Sequence, residues 1–198
     1  MTQPATFFNI IHALPVMQSK LFAECLHPCP AMRYTNNQSS LESEAPHMEI
    51  ERKFLPKELP EHLENYEMHR IEQGYLNTDP VVRIRRSDDD YYLTYKSKGL
   101  LAREEYNLPL NAASYEHLKP KADGRVIEKR RYLIPLDDQL TVELDVFEGD
   151  LAPLILAEVE FESEDAANAF LPPAWLGEDV TFDPHYHNST MSRSDYKL

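Results

Sequence analysis

The sequence is poor in cysteine, and it has no long apolar run. Only two of its 198 residues are cysteines. Both of them, Cys25 and Cys29, lie close to the N-terminus. We therefore expect no framework of disulfide bonds, which suits the reducing conditions of the cytoplasm. No apolar stretch approaches the roughly 20 residues that a membrane-spanning helix requires. We expect a globular cytoplasmic protein without a membrane partner.

Basic residues are also scarce relative to acidic ones. The chain has 20 Lys and Arg against 34 Asp and Glu, which gives a formal net charge of -14. A protein of that charge repels nucleic acids and anionic membranes when bulk charge is the only attraction. We therefore expect no nucleic-acid partner. The net charge does not exclude a small anion that is held by a local cluster of bases.

The N-terminal quarter of the sequence differs in pattern from the rest. It contains several prolines and the polar run 36–40, and it shows no sustained periodicity. The apolar stretch 7–11 is short and follows no basic residue, so we expect no signal peptide. We predict a loosely ordered extension over 1–47, a functional domain over 48–193 and a C-terminal tail over 194–198.

The functional domain is expected to consist mainly of strands with a few short helices. Period-two alternation and turn residues predict eight strands, at 48–55, 68–76, 80–87, 90–97, 101–110, 125–134, 139–148 and 155–162. Short helices are expected at 56–66, 111–118 and 163–171. Many short, closely spaced strands are typical of an antiparallel sheet or barrel. The fold class is therefore α+β, with mainly antiparallel strands.

Charged side chains line one face of most predicted strands. Because residues two apart in a strand share a face, Glu49, Glu51 and Lys53 lie together, opposite Ile50 and Phe54. The same alternation groups other charged pairs: Arg83 with Arg85, Thr94 with Lys96, Arg103 with Glu105, Lys129 with Arg131, Glu143 with Asp145, and Glu158 with Glu160. One interpretation is a half-buried sheet with a solvated charged face. The other is a closed barrel with a charged interior.

Two features favour the charged interior. Some strands present only bases and others only acids, whereas solvated faces more often intersperse the two signs. The set also matches one kind of ligand, since bases suit phosphate oxygens and carboxylates suit a hard divalent metal. Two unit charges about 4 Å apart interact by ~1 kcal/mol in water but by ~4 kcal/mol at an effective dielectric constant of 20. Many bases around one polyphosphate are therefore most useful in an enclosed site.

The charged motifs resemble those of the CYTH superfamily, the triphosphate tunnel metalloenzymes. In chain order the matching motifs are Glu49-Ile-Glu51-Arg-Lys53, Gln73-Gly-Tyr75-Leu76, Arg83-Ile-Arg85, Thr94-Tyr-Lys96-Ser-Lys98, Arg103-Glu-Glu105, Lys129-Arg-Arg131, Glu143-Leu-Asp145 and Glu158-Val-Glu160. The resemblance extends from about residue 48 to about residue 193 and keeps the order of the motifs. The first motif alone would be weak evidence for this resemblance, but the whole set of motifs in the same order is strong evidence.

The resemblance implies an eight-stranded closed β-barrel, the triphosphate tunnel, with a few short helices packed outside. It implies hydrolysis of a triphosphate with Mg²⁺ or Mn²⁺, most simply of inorganic triphosphate to pyrophosphate and phosphate. The metal ligands carried over by position are Glu49, Glu51, Asp145, Glu158 and Glu160. The substrate-binding residues carried over are Lys53, Arg83, Arg85, Lys96, Arg103, Lys129 and Arg131. Lys53 and Tyr75 resemble a catalytic pair.

Several alternatives stay open at the level of the sequence. The same fold is used by class IV adenylate cyclases, and the substrate could be thiamine triphosphate or a nucleoside triphosphate. A sensor that binds polyphosphate or a nucleotide without turnover is the non-enzymatic alternative. A homodimer is possible. His185 departs from the family pattern, and it flanks Tyr186 together with His187, so either ring could serve structure or touch the ligand.

Overall fold

The computed structural model describes residues 47–136 and 139–198, so almost all of the predicted N-terminal extension lies outside the described residues. The strands are β1 His47–Leu55, β2 Glu67–Thr78, β3 Val81–Ser87, β4 Asp90–Lys96, β5 Ala102–Leu110, β6 Asp123–Pro135, β7 Thr141–Phe147, β8 Ile155–Glu160 and β9 Glu178–Asp179. The helices are α1 Ala112–Leu118, α2 Glu164–Ala169 and α3 Asn188–Met191. No helix among these residues combines the length and apolarity needed to cross a bilayer.

The first eight strands close into an antiparallel barrel, as predicted. They follow the order β5-β4-β3-β2-β6-β7-β8-β1, and a further pairing of β1 with β5 completes the circle. Strand β1 makes this closure because its two halves pair with different strands. Glu49 lies opposite Arg103 of β5, whereas Glu51 lies opposite Glu160 of β8. Closure leaves no long unpaired edge and encloses one face of every strand.

Two of the three predicted helices are present, and one prediction was wrong. Helices α1 and α2 begin where Asn111 and Ser163 accept hydrogen bonds from backbone N–H groups of the first turn. Residues 56–66 form no α-helix, and only a short 3₁₀ turn occurs, at Leu63–Asn65. Pro60 explains the difference, because a proline inside a helix lacks the required N–H donor and clashes with the preceding turn.

The main hydrophobic core lies outside the barrel. The outward-facing side chains of β1, β7 and β8 are buried, among them Phe54, Leu144 and Val159. They pack with Ala167 of α2 and with Leu176, and both of these side chains are fully buried. Apolar packing on the outside leaves the barrel interior free for charged residues.

A second apolar cluster lies at one end of the barrel. Ile127, Phe147 and Leu156 share the inward face of their strands with the charged residues, and all three are buried. They pack with Met191 and Tyr196 from the C-terminal residues. The charged interior is therefore bounded at this end by apolar side chains.

The C-terminal segment contacts β6 closely at a glycine. Gly124 has φ +71°, and a Cβ atom there would lie 2.1 Å from the carbonyl oxygen of Ser192. The next backbone N–H, that of Arg125, donates to the same carbonyl at 2.7 Å. A side chain at position 124 would therefore both strain the backbone and push the C-terminal segment away.

We predict that Gly124→Ala lowers the free energy of unfolding by about 2–4 kcal/mol, since backbone strain and the clash add together. The matched control is Gly149→Ala, because Gly149 has φ +57° but no atom within 4 Å of the added Cβ. The control should lose only about 1–2 kcal/mol. Urea unfolding of both variants measures the difference. Equal losses would contradict the role assigned to the contact with Ser192.

Candidate active site

The barrel interior contains a cavity that opens to solvent, and its empty space together with the solvent at the mouth amounts to about 760 Å³. Its wall is formed almost wholly by charged and polar side chains. The lining residues are Glu49, Glu51, Lys53, Tyr75, Val81, Arg83, Arg85, Lys96, Arg103, Glu105, Arg131, Glu143, Glu158, Glu160, His187, Asn188 and Ser189. Every site residue predicted from the sequence is in this set except Lys129 and Asp145. Opposite charges from many strands therefore meet in one enclosed space.

The strand order divides the cavity into two opposite walls. Strand β3 stands four strands away from β8 in either direction round the barrel, and β2 stands four strands away from β1. The β1–β8 wall carries four carboxylates, those of Glu49, Glu51, Glu158 and Glu160. The β2–β3 wall carries Tyr75 and two arginines, Arg83 and Arg85. A ligand in the cavity would therefore lie between carboxylates on one side and cations on the other.

Lys96 and Arg103 neutralise three carboxylates at the β1–β5 side of the cavity. Arg103 Nε donates to Glu49 at 2.7 Å and its Nη2 donates to Glu51 at 3.0 Å. Lys96 forms ion pairs with Glu49 and, at 2.5 Å, with Glu105. Burial raises the pKa of Glu105, but the charges of Lys96 and Arg83 outweigh it and lower the pKa to about 2. Both signs therefore stay ionised.

Lys53 of β1 neutralises carboxylates in the same way on the side of the cavity next to β8. Its ammonium group pairs with Glu51 at 2.8 Å and with Glu158. Burial opposes the charge, but these two carboxylates outweigh burial and raise the pKa of Lys53 above its ordinary value. The group is therefore a firmly held cation, suited to contact an anion and unsuited to accept a proton. Tyr75, its predicted partner, lines the same cavity from the opposite β2–β3 wall and is only 3% exposed.

Lys129 and Asp145 lie behind the cavity surface. Both side chains are fully buried, and they form an ion pair. Asp145 also accepts two hydrogen bonds from Arg131, each 2.7 Å long. Burial and the neighbouring Arg131 lower the pKa of Lys129 to about 8. The structure thus places this pair as a support for Arg131, which itself reaches Glu143 and Glu158 in the wall.

Arg83 and Arg85 differ from the other cavity bases because neither has an ion-pair partner within residues 47–136 and 139–198. Nε and Nη2 of Arg83 and Nε of Arg85 are buried without a hydrogen-bond partner. Burial and the adjacent charge of Arg83 lower the pKa of Arg85 to about 10, so the guanidinium is still charged at neutral pH. Buried donors of this kind are costly unless a ligand or water accepts them.

Some lining residues were not assigned to the site from the sequence. Glu105 and Glu143 share faces with assigned residues, so their alternation was the available signal. His187, Asn188 and Ser189 come from a loop and the start of α3, where no periodicity predicts direction. His187 is the informative one, because its Nε2 is buried without a partner and its pKa is lowered by burial and by nearby Lys53.

The carboxylates of the β1–β8 wall have the right chemistry for a hard divalent metal, which prefers oxygen ligands. Within the described part of the chain, no three His, Cys, Asp or Glu side chains are already grouped as a ligand set. The reason is visible in the ion pairs: Glu49, Glu51 and Glu158 each point towards a base. The donor set therefore fits a metal, provided that ligand binding separates these pairs.

A closed antiparallel barrel whose interior is lined by both acids and bases defines a protein of the tunnel type. Comparison with known proteins agrees. The sequence model of the CYTH domain matches residues 47–192. The chain belongs to the CYTH family, and its triphosphatase members are metal-dependent.

Two similar proteins are inorganic triphosphatases. That of Nitrosomonas europaea is 46% identical over 151 residues, which cover 74% of this chain and 97% of the relative. That of Acetivibrio thermocellus is 37% identical over 155 residues, or 75% and 96% of the two chains. A crystal structure of an inorganic triphosphatase is 44% identical with a TM-score of 0.56, and the alignment covers 73% of this chain and 93% of that one.

The ion pairs of the cavity predict a loss of stability in acid. The pKa of Glu105 is about 2 in the folded protein against an ordinary 4.5, so the unfolded chain binds a proton more readily between these values. The stability that Glu105 provides is complete above about pH 4.5 and is lost as the pH falls towards 2. We expect the unfolding temperature to fall over this range, and to fall less steeply in Glu105→Gln. Identical slopes, measured by calorimetry, would contradict the pairing.

Proposed function

We propose that this protein hydrolyses inorganic triphosphate to pyrophosphate and phosphate, with Mg²⁺ or Mn²⁺ as the cofactor. The observation that carries the proposal is that Arg83 and Arg85, which have no ion-pair partner among the described residues, face four carboxylates across the barrel cavity. A condensed phosphate supplies the acceptor oxygens that these arginines lack. The similar proteins named inorganic triphosphatase support the same substrate.

The composition of the cavity wall favours a substrate without an organic group. Among the described residues of the wall, Val81 is the only aliphatic one and Tyr75 the only aromatic one apart from His187. Sites for nucleosides and similar rings are usually lined mainly by apolar and aromatic side chains. A purine or a thiamine ring would find little such surface here. Inorganic triphosphate needs none, because its whole length is charged.

Glu49, Glu51, Glu158 and Glu160 would hold the metal. Asp145, carried over as a fifth ligand, is instead engaged by Lys129 and Arg131 behind the cavity surface. A bound divalent cation supplies neutralisation of the phosphate charge and polarisation of the reacting phosphoryl group. The role of the neighbouring bases follows from the ion pairs that they now make. With these carboxylates engaged by a metal, Lys53, Lys96, Arg103 and Arg131 would be available to phosphate oxygens.

The chain's own residues then act mainly by position and charge. Arg83 and Arg85 hold one end of the phosphate chain and stabilise the charge that develops on the transferring phosphoryl group. Lys53 stays protonated and offers charge to the leaving pyrophosphate, and the Tyr75 hydroxyl can orient the attacking water. Lys129 and Asp145 keep Arg131 in place. A homodimer and a cytoplasmic location stay predictions.

The assay that tests this function measures products from three substrates with Mg²⁺ and then with Mn²⁺. We expect phosphate and pyrophosphate from tripolyphosphate, slower turnover of ATP and thiamine triphosphate, and no turnover once EDTA has removed the metal. Pyrophosphate with cyclic AMP from ATP would indicate a cyclase instead. Tight binding of tripolyphosphate without turnover would indicate a sensor.

We expect Arg85→Ala to lower kcat/KM for tripolyphosphate by on the order of 10²–10³, because a donor to the transferring phosphoryl group is lost. The unfolding temperature should not fall by more than a few degrees, since Arg85 forms no ion pair that its removal would break. The matched control is Arg86→Ala, which removes the same charge from the exposed outer face of the same strand. Native kinetics in Arg85→Ala would refute the assignment.

A further inference from the structure

Gln73 is a buried polar residue to which neither the family motifs nor the ion pairs assign a role. Its side chain is 0% exposed, and it lies on β2 directly opposite Arg85 of β3. Gln73 does not line the cavity. It contacts the side chain of Arg85, which does line the cavity. Its Oε1 accepts a long hydrogen bond of 3.4 Å from Arg85 Nη2. Gln73 therefore belongs to the wall formed by β2 and β3.

The other amide atom of Gln73 is unpaired. Its Nε2 is buried and has no hydrogen-bond partner, in the same way as Nε of Arg85 and both Nε and Nη2 of Arg83. These four atoms are all donors, and they come from neighbouring strands. Buried donors without an acceptor are costly. Because Arg83 and Arg85 line the cavity, the acceptor missing for their three donors is a ligand with several oxygens, and Gln73 adjoins Arg85 on the neighbouring strand.

We propose that Gln73 is a substrate-positioning residue that sets the terminal phosphoryl group of the triphosphate against the β2–β3 wall. Its Oε1 accepts from Arg85 Nη2 and so orients the guanidinium, while Gln73 itself stays behind the cavity surface. The group recognised is a terminal phosphoryl, whose three non-bridging oxygens can accept several donors at once. The rest of the phosphate chain then extends towards the carboxylates of β1 and β8. This inference rests on the function proposed above.

The neutral charge of Gln73 is what the position requires. A glutamate of the same size would form an ion pair with Arg85, as Glu49 does with Arg103 across the β1–β5 pairing. Such a pair would satisfy the arginine in the free protein and would compete with phosphate for it. The amide instead orients Arg85 without neutralising it. If Gln73 positions Arg85 for the substrate, Gln73→Glu should weaken substrate binding without lowering stability. If Gln73 is only structural, the same substitution should lower stability and leave binding unchanged.

The test compares Gln73→Glu and Gln73→Met with the native protein. Calorimetry measures binding of metal-free tripolyphosphate, kinetics with Mg²⁺ give kcat and KM, and thermal unfolding gives stability. We expect Gln73→Glu to weaken binding and raise KM by about tenfold or more without lowering the unfolding temperature, because the new carboxylate pairs with Arg85. Gln73→Met should also weaken binding, by several-fold, since it removes the amide oxygen that orients Arg85 while keeping a side chain of similar volume.

Arg70→Gln is the matched control. It makes the same change of one unit in net charge on the same strand, but Arg70 lies on the exposed outer face. Its affinity and KM should be native. Native affinity in both Gln73 variants would overturn the inference. A lowered unfolding temperature together with a native KM would also overturn it, because that result indicates a structural role only. If the native protein neither binds nor hydrolyses tripolyphosphate, the proposed function fails, and the inference fails with it.

Discussion

The structure depends on the mutual neutralisation of acids and bases inside a closed barrel. Removing an isolated charge from water costs several kcal/mol, so an interior with charges of one sign would oppose folding. Here the carboxylates of β1 and β8 lie next to bases from β1, β4, β5 and β6. The pairs keep both signs ionised without a ligand. The apolar packing that stabilises the fold lies on the outer face of the strands.

This arrangement also explains how one cavity can hold a cation and an anion. The pairs stabilise the free protein, but each is held at the surface of a cavity, where a metal and a phosphate can take the place of the partners. The exception is the β2–β3 wall, where Arg83 and Arg85 pair with no carboxylate in the part of the chain that the structure describes. An anion binds there without breaking an ion pair. Binding is therefore expected to be favoured first at the arginines and to be completed at the acids.

Much of the fold could be predicted from the sequence because alternation is a local property. Charged residues that alternate within a strand, such as Glu49, Glu51 and Lys53, are visible without any contact being known. Local reasoning failed at residues 56–66, where a short helix was expected and Pro60 prevents it. The depth of Lys129 and Asp145 was also beyond local reasoning. Both share a strand face with residues that line the cavity, yet both are fully buried and neither lines the cavity.

The sequence by itself determined which side chains share a face and what chemistry they carry, since strand periodicity and residue type fix both. Only the tertiary structure decided which faces meet. The strand order places β3 opposite β8, so that arginines face carboxylates, and it brings the unpaired amide of Gln73 beside Arg85. It also brings His187 from a loop into the cavity wall. Long-range pairing of strands sets these relations, and no local pattern encodes the partner of a strand.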